Sequence, residues 1–412
     1  MHFLYNLATQ LAQFLVKITV LFSPKMKLFV DGRKDVFLIL KQKIASHDRT
    51  IWFHSASLGE YEQGLPVIEK IKEKHPDHKI IISFFSPSGY EVRKNNTIAD
   101  ATVYLPLDTP QNAKRFVELV HPDLVFFIKY EFWINYLDQL QKKQIPTYLI
   151  SGIFREQQLF FKWYGGFYRK ALNNFTYFFV QNENSKKLIT QLGKTNVTIS
   201  GDTRFDRVAA ILDKDNTLEF IAQFKNNKTT IVIGSSWPKD ESLLTDYINS
   251  CPHDVKFIIA PHNIKPEQIQ QLQNSITKKT VLFSEKENKE LSKFDVFITD
   301  TIGILTKIYS YGDIAYVGGG FGKGIHNLLE PATFGIPIVI GPNFSHFDEA
   351  VKLVENKGCA SVKNFSELEI IFSTLIQNTE TRHQKGKICA EFVQNNKGAT
   401  DCILSQIIDI KN

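Results

Sequence analysis

The sequence has no cysteine framework. Its four cysteines, Cys251, Cys359, Cys389 and Cys402, form no CxxC pair and no metal-ligand spacing with histidine. That excludes a disulfide scaffold and a zinc site, and suits a reducing compartment. Runs of like charge are missing as well. Net charge is +6, yet Lys and Arg are scattered, so the basicity fits an anionic ligand or a membrane surface as well as nucleic acid. No RNA-binding signature and no repeat of fixed period appears. No Ser-His-Asp or Cys-His grouping can be assembled by spacing. The D-x-D at Asp213-Lys214-Asp215 falls in a polar stretch and not at a strand end, so no metal site is expected.

A clean membrane-spanning run is also lacking. "MHFLYNLATQLAQFLVKITVLF", residues 1–22, is apolar but interrupted by Gln10, Gln13 and Lys17. Asn6, Gln10, Gln13 and Lys17 share one helical face, whereas Leu4, Leu7, Leu11, Phe14, Ile18 and Leu21 share another. A charge near mid-span is expensive. The pattern therefore predicts a helix lying in the membrane interface, or at most a marginal span. Lys25, Lys27, Arg33 and Lys34 follow and favour anionic head groups on the cytoplasmic side. No basic residue precedes the run and no small-residue cleavage site ends it, which argues against a signal peptide. The competing reading is an amphipathic helix packed on the protein body.

At 412 residues and 43% hydrophobic content, two domains are expected. Continuous apolar runs alternate with helical stretches: "TIWFHSAS", "KIIISFFS", "ATVYLPL", "LVFFIKY", "TYLIS", "YFFVQ" and "VTISG" in the first half. The second half gives "TTIVIGS", "VKFIIAP", "TVLFS", "VFITDT", "IAYVGGG", "PIVIGP" and "ASVK". Such runs are those of parallel strands covered on both faces, so the fold class is α/β with two doubly wound domains. The predicted boundaries are an anchor at 1–34, a first domain at 35–206, a linker at 207–228 and a second domain at 229–412.

In this architecture ligands sit beyond the carboxyl ends of the strands. "HSASLGEYEQ", 54–63, places Glu60 in the first turn of a helix. Ser57-Leu58-Gly59-Glu60 fits a capping box, and the residues alone leave open whether Glu60 caps or acts as a base. "FIKYEFWINY" sets Glu131 just after a strand among aromatics. "ISGDTRFDR" offers Arg204 and Arg207 near the junction for an anionic substrate. Ser235 and Ser236 in "VIGSSWPKDES", and Asp300 and Thr301 in "ITDTIGIL", open helices that either bind phosphate or are simply capped. The glycine-rich "VGGGFGKGIHNLLEPATFGIPIVIGP" matches neither GxGxxG nor a P-loop. It brings His326, Asn327 and Glu330 to a helix start, where a carboxylate suits ribose hydroxyls.

Taken in order, "HSASLGE", "KYEFW", "GDTRFD", "GSSWPKDE", "APH", "TDTIG" and "GGFGKGIHNLLEPA" resemble the 3-deoxy-D-manno-octulosonic acid (Kdo) transferases of lipopolysaccharide synthesis over nearly the whole chain. The resemblance implies a GT-B glycosyltransferase, two Rossmann-like domains facing a cleft with an N-terminal membrane-anchoring helix, at the cytoplasmic face of the bacterial inner membrane. It implies the donor substrate CMP-Kdo, with no cofactor, and as acceptor the tetraacylated lipid A precursor, lipid IVA. Transfer would invert the anomeric centre without metal, with Glu60 as general base. Glu131 and Arg204 would stabilise the transition state. The CMP site would map to Pro261, His262, Ile302, Gly303, Ile304, Asn327, Leu328, Leu329 and Glu330, with Glu330 on the ribose and the helix starts holding phosphate.

Two positions depart from the family pattern. His262 stands where the family has Arg, which predicts a weaker or pH-dependent phosphate contact, and Ile304 stands where it often has Glu. The rivals are another GT-B enzyme such as a nucleotide-sugar epimerase, or a non-catalytic membrane-anchored binder of sugar nucleotides; neither requires a base at Glu60. Nucleic acid is not an expected partner.

Overall fold

A computed structural model describes residues 1–20, 23–252 and 254–407. Leu21, assigned above to an apolar helix face, lies outside them. Contacts divide the chain into two units, one of Met1–Arg207 joined by the segment from Lys397 onward, the other Val208–Asn396.

The first unit is built on β1 (Thr50–Ser55), β2 (Lys79–Phe84), β3 (Ala101–Tyr104), β4 (Pro122–Ile128), β5 (Thr147–Gly152), β6 (Tyr177–Val180) and β7 (Val197–Ile199). They pair in the order β3-β2-β1-β4-β5-β6-β7. The chain winds outward from β1 to β3, then restarts at β4 on the other side of β1, with Phe53 beside Phe126 and His54 beside Phe127, all parallel. That reversal opens a crevice at the carboxyl ends of β1 and β4. "HSASLGE" and "KYEFW" follow those two strands. Both faces of the sheet are covered: Trp52 and Phe127 belong to one apolar cluster, and Phe53, Phe126 and Phe179 to another.

The second unit carries β8 (Thr230–Ser236), β9 (Lys256–Pro261), β10 (Thr280–Leu282), β11 (Val296–Ile298), β12 (Ile314–Val317), β13 (Ile338–Ile340) and β14 (Cys359–Ser361). Their order is β10-β11-β9-β8-β12-β13-β14. Here the reversal lies between β8 and β12, which places the Ser235-Ser236 turn and the glycine-rich loop together.

The expected boundaries need correction. The stretch 207–228 is no free linker, because its helix Glu219–Lys225 buries Ile221 and Phe224 within the second unit. The chain end also groups with the first unit. Asp206 accepts bonds from the Gly398 N–H (2.5 Å), the Thr400 N–H (2.7 Å) and the Thr400 hydroxyl (2.7 Å), and Ile403 and Ile407 join the cluster around Phe53.

The helix His2–Thr19 buries no residue. Its half-buried side carries Tyr5, Asn6, Thr9, Gln13 and Val16, while Leu4, Leu7, Leu11, Phe14 and Ile18 are exposed. An amphipathic helix packed on the body by its apolar face is therefore overturned: the apolar face points away. No described helix is long and apolar enough to cross a membrane.

Candidate active site

In the first unit the helix Leu58–Lys74 starts directly beyond β1, with Ser57 extended at its N-cap. The capping box does not form. Ser57 makes no side-chain bond to the helix backbone; its hydroxyl donates to Glu60 Oε2 instead. Glu60 is 6% exposed. Glu60 is thus a buried carboxylate held by the hydroxyl of its own turn.

Glu131, 8% exposed, follows β4. The Trp133 indole N–H is shared between Glu131 Oε2 (2.9 Å) and His54 Nε2 (2.8 Å), and His54 Nε2 lies 3.5 Å from the same carboxylate oxygen. An accepting Nε2 puts the His54 proton on Nδ1, which faces the Ser83 hydroxyl at 2.8 Å. Trp52 Nε1 donates to that hydroxyl at 2.7 Å. A relay of buried His54, Ser83 and Trp52 and half-buried Trp133 thus holds Glu131 from behind.

Arg204 begins a short helix and is gripped by Asp202: Nε at 2.8 Å, a second guanidinium nitrogen at 2.7 Å and the backbone N–H at 2.9 Å. Asp202 also accepts from Gln63 Nε2 at 3.3 Å, on the helix that bears Glu60. Between these groups stands Lys129, overlooked in the sequence although "FIKYE" contains it. It occupies the left-handed region at φ 75°. Burial pushes its ammonium below the ordinary value, Glu60 opposes that shift and Arg204 adds to it. Glu60 therefore has a cationic neighbour that strand-end position alone could have flagged.

In the second unit Ser236 is buried and donates to Glu241 Oε1 at 2.9 Å, while Ser235 sits at φ 53°. Pro261 ends β9, and the His262 N–H donates to Ser236 O at 2.9 Å. The His262 ring stacks against both Trp237 (centroids 4.3 Å apart) and His326 (4.5 Å), and Trp237 Nε1 donates to His326 Nε2 at 2.7 Å. Burial lowers both imidazole pKa values, and His262 lowers that of His326 further. Burial thus favours the neutral form of the His262 ring, whereas an Arg keeps its charge.

Asp240, also overlooked, fastens the glycine-rich loop. Its oxygens accept from Tyr316 OH (2.9 Å), Gly319 N–H (2.8 Å) and Trp237 N–H (3.0 Å). Glu330 accepts from Thr306 Oγ1 (2.8 Å) and Asn327 Nδ2 (3.0 Å), so it lies against the helix that follows Ile304. Gly303 is left-handed at φ 96° and Ile302 is 81% exposed. Leu328 and Leu329 are core residues, so their side chains are not available to a ligand and only their backbone is. Asp300 Oδ1 accepts from the Ser284 N–H at 2.9 Å, and the helix Leu305–Tyr309 that follows has no side-chain cap, so Asp300 does not cap it. Among the described residues no three His, Cys, Asp or Glu side chains form a metal-holding group.

Comparison with known proteins agrees with this geometry. Residues 33–207 match the family model described as 3-Deoxy-D-manno-octulosonic-acid transferase (kdotransferase). The 3-deoxy-D-manno-octulosonic acid transferase of Chlamydia trachomatis serovar D is 26% identical over 401 residues, 93% of this chain and 92% of that one. Its counterpart from Aquifex aeolicus is 28% identical over 336 residues, 80% of this chain and 86% of that one. The crystal structure of UDP-GlcNAc 2-epimerase from Neisseria meningitidis superimposes with a TM-score of 0.62 at 15% identity, over 87% of this chain and 98% of that one, a likeness of fold alone. By class the protein is a glycosyltransferase built of two Rossmann-like GT-B domains. Residues 33–207 match the family model of the Kdo transferases, and similarity to curated Kdo transferases runs over most of the chain.

Proposed function

We propose that the protein transfers Kdo from CMP-Kdo to a hydroxyl on the distal glucosamine of the tetraacylated lipid A precursor, in lipopolysaccharide synthesis. The observation that carries this reading is Glu60, buried beyond β1 with its Oε2 bound by the Ser57 hydroxyl. Glu60 takes the proton of the acceptor hydroxyl as its oxygen attacks the anomeric carbon and the bond to the CMP phosphate breaks, which inverts that centre. No metal is assigned a role. Lys129, Arg204 and Glu131 surround the reacting groups and balance developing charge. CMP is held in the second unit, with Glu330 on the ribose, backbone N–H groups of the Ser235-Ser236 turn and the glycine-rich loop on phosphate, and His262 and His326 as hydrogen-bonding partners.

The acceptor is a membrane lipid, and the N-terminal helix answers to that. With its polar side against the body and its apolar side outward, it lies in the cytoplasmic leaflet of the bacterial inner membrane. The test is transfer from CMP-Kdo, generated in situ, to lipid IVA, followed by mass spectrometry. Wild type is expected to add the mass of Kdo, and Glu60→Ala to lower the rate by about 10²–10⁴-fold. Equal rates would remove Glu60 as the base, and no product from either protein would overturn the assigned reaction.

A further inference from the structure

We propose that the loop carrying Trp163 and Tyr164 is a second membrane-inserting element, docking on an anionic bilayer beside the N-terminal helix. This rests on the interfacial reading of that helix and extends it to a segment far away in sequence. Trp163 is 91% exposed and Tyr164 52%, and their rings meet edge to face at 5.4 Å. The loop beneath them is held. Arg169 donates to Phe160 O (3.0 Å) and Lys162 O (2.9 Å), and the Gly165 N–H donates to Lys162 O (2.9 Å). At Gly165 a Cβ would stand 1.9 Å from Leu159 O, so the turn closes only with glycine. A large indole held outward by a fixed turn loses little conformational freedom on insertion.

Position and charge identify what covers it. Phe167, a few residues on, packs against the rings of His2 (4.9 Å) and Tyr5 (5.6 Å), so the loop adjoins the start of the N-terminal helix. Residues 1–30 and 157–182 are the two longest stretches of the chain without Asp or Glu. The first carries Lys17, Lys25 and Lys27, the second Lys162, Arg169 and Lys170. A second copy of such a surface would be repelled, whereas anionic head groups are attracted to it. Trp and Tyr are the side chains that settle at head-group level.

The experiment is co-sedimentation of the full chain with vesicles of phosphatidylglycerol and phosphatidylethanolamine, together with fluorescence quenching by brominated lipid. The Trp163→Ala/Tyr164→Ala variant is expected to partition about tenfold more weakly than wild type. Brominated vesicles should quench wild-type emission more than that of Trp163→Ala. Replacing phosphatidylglycerol by phosphatidylcholine should weaken wild-type partitioning. Unchanged partitioning together with equal quenching would overturn the proposal. A Leu7→Glu/Leu11→Glu/Phe14→Glu variant tests the helix separately: if it partitions like wild type, the interfacial reading of the helix fails, while the quenching of Trp163 still decides the loop.

Discussion

Ser57 and Glu60 form a pair whose two readings predict opposite losses. A hydroxyl that capped the helix would, on removal, cost about 1 kcal/mol of stability. In the structure it donates to the carboxylate and makes no bond to the helix backbone. Ser57→Ala should therefore leave stability within about 0.5 kcal/mol of wild type. It should lower the rate of Kdo transfer by about 10–100-fold, because a general base that swings off its line loses geometry before it loses chemistry. Urea unfolding and initial rates on the same preparations decide it. A variant that is less stable but equally fast would return Ser57 to capping.

At the level of elements, the loop after β12 shows how tightly the second-unit site is built. It crosses the end of β13 so closely that a Cβ on Gly320 would stand 2.6 Å from Gly341 N, and Asn343 N–H donates to Gly320 O at 2.9 Å. Backbone cannot yield there, so Gly320→Ala should cost about 1–3 kcal/mol, read as a fall in thermal midpoint that bound CMP only partly restores. An unchanged midpoint would show that the loop lifts freely. Such elements were largely legible in the sequence. Every apolar run singled out became a strand, because parallel strands buried on both faces must be continuously apolar. The position of β11 between β10 and β9 was not legible, since apolar composition carries no pairing preference. Ser-x-x-Glu read as a capping box because its spacing is the same whether the hydroxyl accepts from backbone or donates to the carboxylate. Lys129 and Asp240 went unread because one owes its place to a left-handed residue and the other to bonds that span from Trp237 to Gly319. The chain end was assigned to the wrong domain, as nothing local in "GDTRFD" announces that Asp206 will hold Thr400.

Across the whole first unit, one buried carboxylate ties the outward-facing helix to the segment that bears Glu131. Asp108 accepts from Tyr5 OH at 2.6 Å, and from the Asn135 and Tyr136 N–H groups, each at 3.2 Å, at the start of the helix Ile134–Lys142. Burial pushes its pKa up to about 6, against which those hydrogen bonds work and to which Asp138 adds. In the unfolded chain Asp titrates near about 3.9. Between these values the folded state holds more protons than the unfolded one, so stability falls as pH rises through the window from about 4 to about 6. A shift of that size corresponds to about 3 kcal/mol, fully expressed by pH 7. Asp108→Asn keeps the shape and removes the titration. Its stability should therefore change less with pH than that of wild type, by about 2 kcal/mol between pH 4 and pH 7. Tryptophan fluorescence during urea unfolding suits the measurement, because Trp52, Trp133 and Trp163 lie in the first unit and only Trp237 in the second. Parallel pH curves for the two proteins would mean that Asp108 titrates in the folded chain as it does in the unfolded one, so that the contact between Tyr5 and the Glu131 segment is ionised by pH 7.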